Sequence, residues 1–147
     1  MERIASHEVP KGAYAAMLNT EKYLKEAGIN PKIYHLVKLR ASMINGCGYC
    51  IDMHTKEALK DGEDSQRLYL SRVWRESPNY TEEERAALHL TEALTNISTN
   101  DVESAYEHAA EVFSKDEIAN LTLLICQINS WNRIAITFGF VPGSYEG

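Results

Sequence analysis

Several features that define large protein classes are missing from this chain of 147 residues. No apolar run approaches the roughly 20 residues that a membrane-spanning helix needs, and the first residues lack the apolar segment of a secretory signal. Basic residues are in deficit, with 15 Lys+Arg against 21 Asp+Glu, and they form no cluster that would bind nucleic acid. The three cysteines are too few for a disulfide framework. We therefore expect a cytoplasmic protein that binds neither nucleic acid nor a membrane.

What the chain does contain is ample apolar sequence, since 44% of its residues are hydrophobic. A chain of this length and composition can bury a sizeable core, and it has no internal repeat or flexible linker. A single domain spanning residues 1–147 is predicted. Apolar residues recur at helical spacing along the whole sequence, and no segment alternates with the period of a strand. The predicted fold is therefore all-α, with about seven helices.

Turn and capping residues give the expected bounds of these helices. Proline or glycine separates the early segments, and Ser, Thr or Asn followed three residues later by Glu marks the start of the later ones. The predicted early helices cover about 13–27, 31–44, 47–60 and 64–76, and the later ones begin after Thr81, Asn100 and Ser114, the last running to 138.

Two cysteines and a histidine are the most informative feature. Cys47, Cys50 and His54 are spaced so that they share one face of a helix. A disulfide that closes only four residues stabilises a fold by roughly 2 kcal/mol at best, so this pair is better suited to redox chemistry than to structural support. A helix terminus beginning near Cys47 would favour a thiolate, and His54 would accept a thiol proton. Such a site suits two-electron reduction of a peroxide.

The segment 36–54, LVKLRASMINGCGYCIDMH, closely resembles the core motif of the carboxymuconolactone decarboxylase / alkylhydroperoxidase D (AhpD-like) superfamily. Its cysteine pair is typical of the alkylhydroperoxidase branch rather than the decarboxylase branch. Further similar segments lie at Trp74–Glu76, Glu83–Leu88, Trp131–Arg133 and Pro142–Tyr145. The resemblance implies an all-helical fold, assembly into homotrimers or homohexamers, and a peroxidase that cycles through a disulfide.

Residue roles also follow from this resemblance. Cys50 would be the peroxidatic cysteine that attacks a hydroperoxide, Cys47 the resolving cysteine, and His54 a member of the proton relay. No bound cofactor is needed, and a thioredoxin-like or lipoyl-bearing partner would reduce the disulfide. At the position twelve residues before Cys47, where the family's enzymes carry a relay glutamate, this chain has His35. His35 is therefore either a substitute relay member or an ordinary helix residue.

Other interpretations stay open at this point. The dithiol pair would equally serve a thiol–disulfide oxidoreductase that acts on a protein or small disulfide, or persist in a non-catalytic helical oligomer. Zinc binding is a weaker interpretation, because the cysteines and His54 supply only three ligands. We expect Arg40 to pair with an acidic residue rather than with a thiolate, and Cys126 to be a buried apolar residue. Trp74 and Trp131 are expected to anchor the core or a subunit interface.

Overall fold

The structure, a computed structural model, describes all 147 residues and is entirely helical. It confirms the predicted all-α fold and the number of helices. No helix has the length and apolar character to cross a lipid bilayer. The seven α-helices are α1 (Ala15–Glu26), α2 (Pro31–Asn45), α3 (Gly48–Lys60), α4 (Ser65–Leu70), α5 (Glu82–Thr95), α6 (Val102–Ala110) and α7 (Lys115–Phe138), with short 3₁₀ turns at Ser6–Glu8 and Ser71–Val73.

The predicted capping boxes of α5 and α7 are confirmed. Thr81 Oγ accepts a hydrogen bond from the backbone of Glu84, whose carboxylate accepts one from the Thr81 N–H in return. Ser114 and Glu117 make the same reciprocal contact. Each box satisfies two backbone donors that the first helical turn leaves free.

Two predicted boundaries were wrong. Helix α6 is capped by Asp101 rather than Asn100, because the Asp101 carboxylate accepts the Ser104 N–H at 3.1 Å while the Asn100 amide bonds back to α5 carbonyls. The segment predicted as one helix over 64–76 ends as an α-helix at Leu70 and continues as a 3₁₀ turn. The Ser71 hydroxyl bonds to the Leu68 carbonyl, a local contact that competes with helical pairing.

Helix α2 is the central element, packed against α3, α5 and α7. One of its sides contributes Ile33 and Val37 to the main hydrophobic core, together with residues of α1, α5, α6 and α7. Trp74 is buried in a second cluster with Leu36, as expected for a core anchor. Three polar side chains of α2, those of His35, Lys38 and Ser42, are buried as well.

Cys126 is exposed, so the prediction that it is a buried apolar residue was wrong. The buried positions of this part of α7 are Leu121, Leu124, Ile125 and Ile128. Cys126 follows directly after two of these residues in an apolar run, but the rotation of the helix turns it toward solvent. The apolar run around Cys126 therefore did not show which face of α7 is buried.

Candidate active site

Cys47 and Cys50 lie at the junction of α2 and α3 and are joined by a disulfide, with their Cα atoms 5.3 Å apart. Gly46 ends α2 in the left-handed region at φ 68°, which lets the chain turn and begin α3 two residues later. Cys47 is the N-cap of α3, and its sulfur accepts a hydrogen bond from the Cys50 N–H at 3.3 Å. The sulfurs therefore lie at the positive end of a helix, as the sequence indicated.

A cavity of about 880 Å³ opens beside the disulfide, in the size range of sites for small organic ligands. Helices α1, α2, α3 and α7 and the segment after α7 form its walls. Cys50 lines this cavity whereas Cys47 does not, although both side chains are almost fully buried. Much of the lining is aromatic or apolar, and it includes Tyr34, Tyr49, Met53, Trp131 and Phe140.

His54 also lines the cavity, one helical turn beyond Cys50. Its Nδ1 atom lies 3.1 Å from Glu57 Oε2, and its Nε2 atom is buried without a hydrogen-bond partner. Burial lowers the pKa of His54 below its usual value, with the nearby Lys38 charge acting in the same direction and Glu57 opposing it. The hydrogen bond with His54 lowers the pKa of Glu57 to about 2. The carboxylate can only accept, so the proton of His54 lies on Nδ1. Because burial lowers its pKa, the ring is neutral near pH 7 and keeps a lone pair on Nε2.

The segment after α7 completes the wall next to this pair. The Tyr145 hydroxyl donates a hydrogen bond to Glu57 Oε1 at 3.0 Å, and Lys56 Nζ donates one to the Tyr145 carbonyl at 2.9 Å. Pro142 packs on Gly48, so closely that a Cβ atom added to this glycine would lie 2.9 Å from Pro142 Cγ. Contacts to both ends of α3 therefore fix the segment over the cysteines.

A buried ion pair forms the opposite wall. Lys38 Nζ, on α2, donates to Glu21 Oε2 on α1 at 2.9 Å, and both side chains line the cavity. Glu21 accepts two further hydrogen bonds, from Trp131 Nε1 at 2.9 Å and from the Tyr34 hydroxyl at 3.3 Å. Burial alone would raise the pKa of Glu21, but the Lys38 charge and these donors together hold it below its usual range.

His35 lies in the cavity wall as well, but away from the sulfurs. Its Nε2 atom is 2.8 Å from Asp61 Oδ2, and none of its hydrogen bonds involves the cysteines or His54. At 1.5 Å per residue, Asp61 lies about 16 Å from Cys50 along the α3 axis. The structure therefore brings Cys50 and His54 together at one end of the cavity and holds His35 toward the other end.

Sequence reasoning missed four polar residues of this site: Glu57, Lys38, Glu21 and Tyr145. Glu57 had a usable signal, since it follows His54 by three residues on the same helix face. The other three belong to different elements, and their proximity depends on tertiary packing. Arg40 pairs with Glu92 at 2.9 Å and does not line the cavity, as predicted.

No set of three or more His, Cys, Asp and Glu side chains is gathered as a metal site in this structure. Instead, the cysteine pair provides a dithiol, His54 Nε2 provides a proton acceptor, and the cavity provides space for an organic substrate. This combination can support thiol redox chemistry on a small molecule.

Comparisons with known proteins agree with this geometry. The sequence profile of the carboxymuconolactone decarboxylase family matches residues 11–93, which include both motif cysteines and His54. The uncharacterised protein YdfG of Bacillus subtilis (strain 168) is 41% identical over 139 residues, which are 94% of this chain and 95% of YdfG.

Solved structures share the fold. ATU0492 from Agrobacterium tumefaciens, a protein of unknown function described as a candidate antioxidant defence protein AhpD, is 41% identical with a TM-score of 0.93, covering 99% of this chain and 100% of that one. The debrominase Bmp8 is 18% identical with a TM-score of 0.80, covering 88% of this chain and 70% of that one, and so shows the fold alone. From the family match and these relatives, the chain belongs to the carboxymuconolactone decarboxylase family, within the superfamily that includes AhpD.

Proposed function

We propose that this protein is a thiol peroxidase that reduces organic hydroperoxides through a dithiol/disulfide cycle of Cys47 and Cys50. The observation that carries the proposal is the pairing of Cys50 with a neutral His54 on the wall of one cavity, where His54 Nε2 is free to accept a proton. The mostly apolar and aromatic lining favours a hydroperoxide with an organic substituent over a fully polar substrate.

The first step oxidises Cys50. His54 Nε2 accepts the Cys50 thiol proton, and the thiolate attacks the outer oxygen of the hydroperoxide. A sulfur–oxygen bond forms while the oxygen–oxygen bond breaks, so that sulfur is oxidised to a sulfenic acid and the peroxide is reduced. The departing alkoxide takes the proton from His54 and leaves as an alcohol.

The second step forms the disulfide. The Cys47 thiol loses its proton as its sulfur attacks the Cys50 sulfur, a sulfur–sulfur bond forms and the sulfur–oxygen bond breaks. The departing hydroxide takes up that proton and leaves as water. The disulfide present in the structure is the product of this step, and the hydrogen bond from the Cys50 N–H would stabilise a Cys47 thiolate before attack.

Glu57 takes the part that the family's relay glutamate would play toward His54. Its carboxylate holds the Nδ1 proton of His54, which fixes the ring and directs the Nε2 lone pair to the other side. His35, which occupies the position of the family's glutamate, is bonded to Asp61 instead. We therefore assign the carboxylate contact of the relay to Glu57, and keep for His35 only a role at the far end of the cavity.

Access to the disulfide bears on the reductant. Cys47 and Cys50 are 1% and 2% exposed, and only Cys50 faces the cavity. A slender dithiol such as a lipoyl arm can enter a cavity of this size, whereas the broad surface of a thioredoxin-like protein cannot bring its cysteine within bonding distance without rearrangement. Of the two reductants suggested by the family, the lipoyl-bearing partner fits better. Assembly as a homotrimer or homohexamer remains a prediction.

Stopped-flow mixing of the reduced protein with cumene hydroperoxide tests the proposed function. We expect two thiols to be lost per peroxide, a trappable sulfenic acid in Cys47→Ser, and none in Cys50→Ser. Cys126→Ser is the matched control and should behave as wild type, since this cysteine is exposed and does not line the cavity. Re-reduction should be faster with dihydrolipoamide than with reduced thioredoxin.

The outcomes separate the alternatives. Wild-type protein that keeps its thiols in cumene hydroperoxide is not a peroxidase of this kind. Rapid exchange with disulfides together with slow peroxide reduction would instead identify a thiol–disulfide oxidoreductase. A stoichiometric metal in freshly purified protein would contradict the dithiol cycle, because the metal would occupy both sulfurs.

A further inference from the structure

The buried Glu21–Lys38 pair has no part in the steps described above. The Lys38 and Glu21 side chains are 6% and 15% exposed, so both charges are largely removed from water. Buried ion pairs are a weak source of stability, because apolar residues of similar volume often serve as well or better. Stability alone therefore does not explain why a buried lysine lies in the cavity wall.

The two partners differ in how fully their hydrogen-bonding capacity is used. The Glu21 carboxylate accepts bonds from three different residues on α2 and α7. The Lys38 ammonium has three donors but makes one hydrogen bond, and it lies 4.6 Å from the centre of the Tyr34 ring. The pair thus presents a positive group with remaining donor capacity at the cavity wall.

Along α2, Lys38 lies between His35 and the sulfurs. It precedes Ser42 by one turn of α2, and the Ser42 carbonyl accepts the Cys47 N–H at 3.0 Å. Lys38, Cys50 and His54 line the same cavity, and the Lys38 charge lowers the pKa of His54.

The other titratable side chains that line this cavity come from three helices and the segments that follow α3 and α7. They are Glu21 and Lys25 on α1, Tyr34 and His35 on α2, Tyr49, Lys56, Glu57 and Lys60 on α3, Asp61 after α3, and Tyr145 and Glu146 after α7. Glu21 and Glu57 are negative and Tyr145 is neutral near pH 7. Of the four lysines in the lining only Lys38 is buried, and burial and the Lys38 charge both lower the pKa of His54.

We propose that Lys38 stabilises the negative charge that the thiol reaction creates, first on the Cys50 sulfur and then on the oxygen that leaves the hydroperoxide. The proposal rests on the proposed peroxidase function and adds a residue to it. Lys38 keeps its proton throughout, while the proton removed from Cys50 travels through His54 to the alkoxide. Glu21 holds the ammonium in place and limits its effect, because its own negative charge opposes that of the lysine.

Alkylation of Cys50 by iodoacetamide as a function of pH tests this role without any peroxide. In a Cys47→Ser/Cys126→Ser background, Cys50 is the only thiol, and the midpoint of the profile reports its pKa. Lys38→Met should raise that midpoint by about one pH unit, a tenfold loss of thiolate, because a nearby cation is removed. Glu21→Gln should lower it, because the opposing carboxylate is removed while Gln can still accept hydrogen bonds. Lys38→Arg should stay close to the unsubstituted background.

Shifts of opposite sign are the signature of an electrostatic role. If Lys38→Met and Glu21→Gln leave the midpoint unchanged, or move it in the same direction, the pair merely joins α1 to α2 and the proposal is wrong. Should Lys38→Met fail to fold, Glu21→Gln and Lys38→Arg still decide the question. Arg40→Met, which alters an ion pair outside the cavity, should not move the midpoint. A failed peroxide assay with opposite alkylation shifts would refute the proposed function and the stabilisation of a peroxide oxygen, and would leave standing only the effect of Lys38 on the Cys50 thiolate.

Discussion

Helix α2 pairs with two partly buried glutamates that accept the same kinds of hydrogen bond. Lys38 contacts Glu21 and Arg40 contacts Glu92, each at 2.9 Å, and the two carboxylates are 15% and 14% exposed. Each glutamate also accepts an indole N–H at 2.9 Å, one from each of the two tryptophans in the chain. Two regions of the molecule therefore use the same arrangement of a carboxylate, a cation from α2 and an indole.

The difference lies in the cation and in what surrounds it. Two nitrogens of the Arg40 guanidinium contact Glu92, which Arg75 contacts as well, so this carboxylate is enclosed by planar donors. Its indole comes from Trp74, inside a hydrophobic cluster. The Lys38 cluster instead faces a cavity and uses a point charge with donors to spare. We therefore expect the cluster of Arg40 and Glu92 to stabilise the fold, and the cluster of Lys38 and Glu21 to act in the proposed thiol chemistry.

The largest expected effect concerns the loss of either cation. Arg40→Met should lower the free energy of unfolding by about 3 kcal/mol, because it removes two charge-assisted contacts from a largely buried carboxylate and leaves it with Arg75 and Trp74 alone. Lys38→Met should lower it by about half as much, since water in the cavity can reach Glu21. Urea unfolding followed by circular dichroism measures both values. Equal losses would show that the two clusters contribute alike to the fold.

The next effect concerns the indole donors. Trp74→Phe should cost about 2 kcal/mol, because it removes a hydrogen bond to a buried carboxylate and leaves a void in a closed core. Trp131→Phe should cost about 1 kcal/mol, since this side chain is half-buried and borders the cavity. Urea unfolding measures both values. A larger loss for Trp131→Phe would show that the cluster around Glu21 stabilises the fold more than the cluster around Glu92 does.

The smallest expected effect is a pH dependence that comes mainly from the cavity region. Because burial lowers the pKa of His54 in the folded protein, the unfolded chain binds more protons just below pH 6.5. The free energy of unfolding should therefore fall as pH decreases below 6.5, by less than the roughly 1.4 kcal/mol per pH unit of one full proton. His54→Gln should flatten this slope.

Glu92→Gln provides the contrast. The pKa of Glu92 is lowered: desolvation opposes ionisation, but the hydrogen bonds from Arg75, Trp74 and Arg40 outweigh it. The stability that this carboxylate contributes is therefore present above its unfolded value near 4.5 and lost as pH falls below it. Glu92→Gln should leave the slope near pH 6 unchanged. His89, whose pKa is also lowered by burial but which is much less enclosed, should leave a small residual slope in every variant.

Much of the helical framework was predictable because it depends on local contacts. The capping boxes at Thr81 and Ser114 are interactions between neighbours in sequence, and their residues identify them. The shared face of Cys50 and His54 follows from helix geometry alone. The sequence predicted that Arg40 pairs with an acidic residue, but it did not identify that residue as Glu92.

The rest depended on packing between distant segments. Glu21 meets Lys38 across 17 positions and Trp131 across 110, and no local pattern encodes either contact. The same holds for Tyr145 and Glu57, which are 88 positions apart. The relay position was inferred by alignment to a family glutamate, but the carboxylate that contacts His54 comes from α3 itself. In the proposed relay, α3 rather than α2 therefore supplies the charged group.

The contact between Gly48 and Pro142 has a consequence for how cysteine motifs of this type are compared. Reduction potentials of redox-active cysteine pairs differ widely between proteins. In this protein any side chain at position 48 must first displace a proline ring, since even a Cβ atom would lie 2.9 Å from it. A change in reduction potential after Gly48→Ala would therefore reflect displacement of the segment after α7 rather than a direct effect of the new side chain on the sulfurs. The inner dipeptide is constrained by a residue 94 positions downstream, so its natural variation should follow position 142.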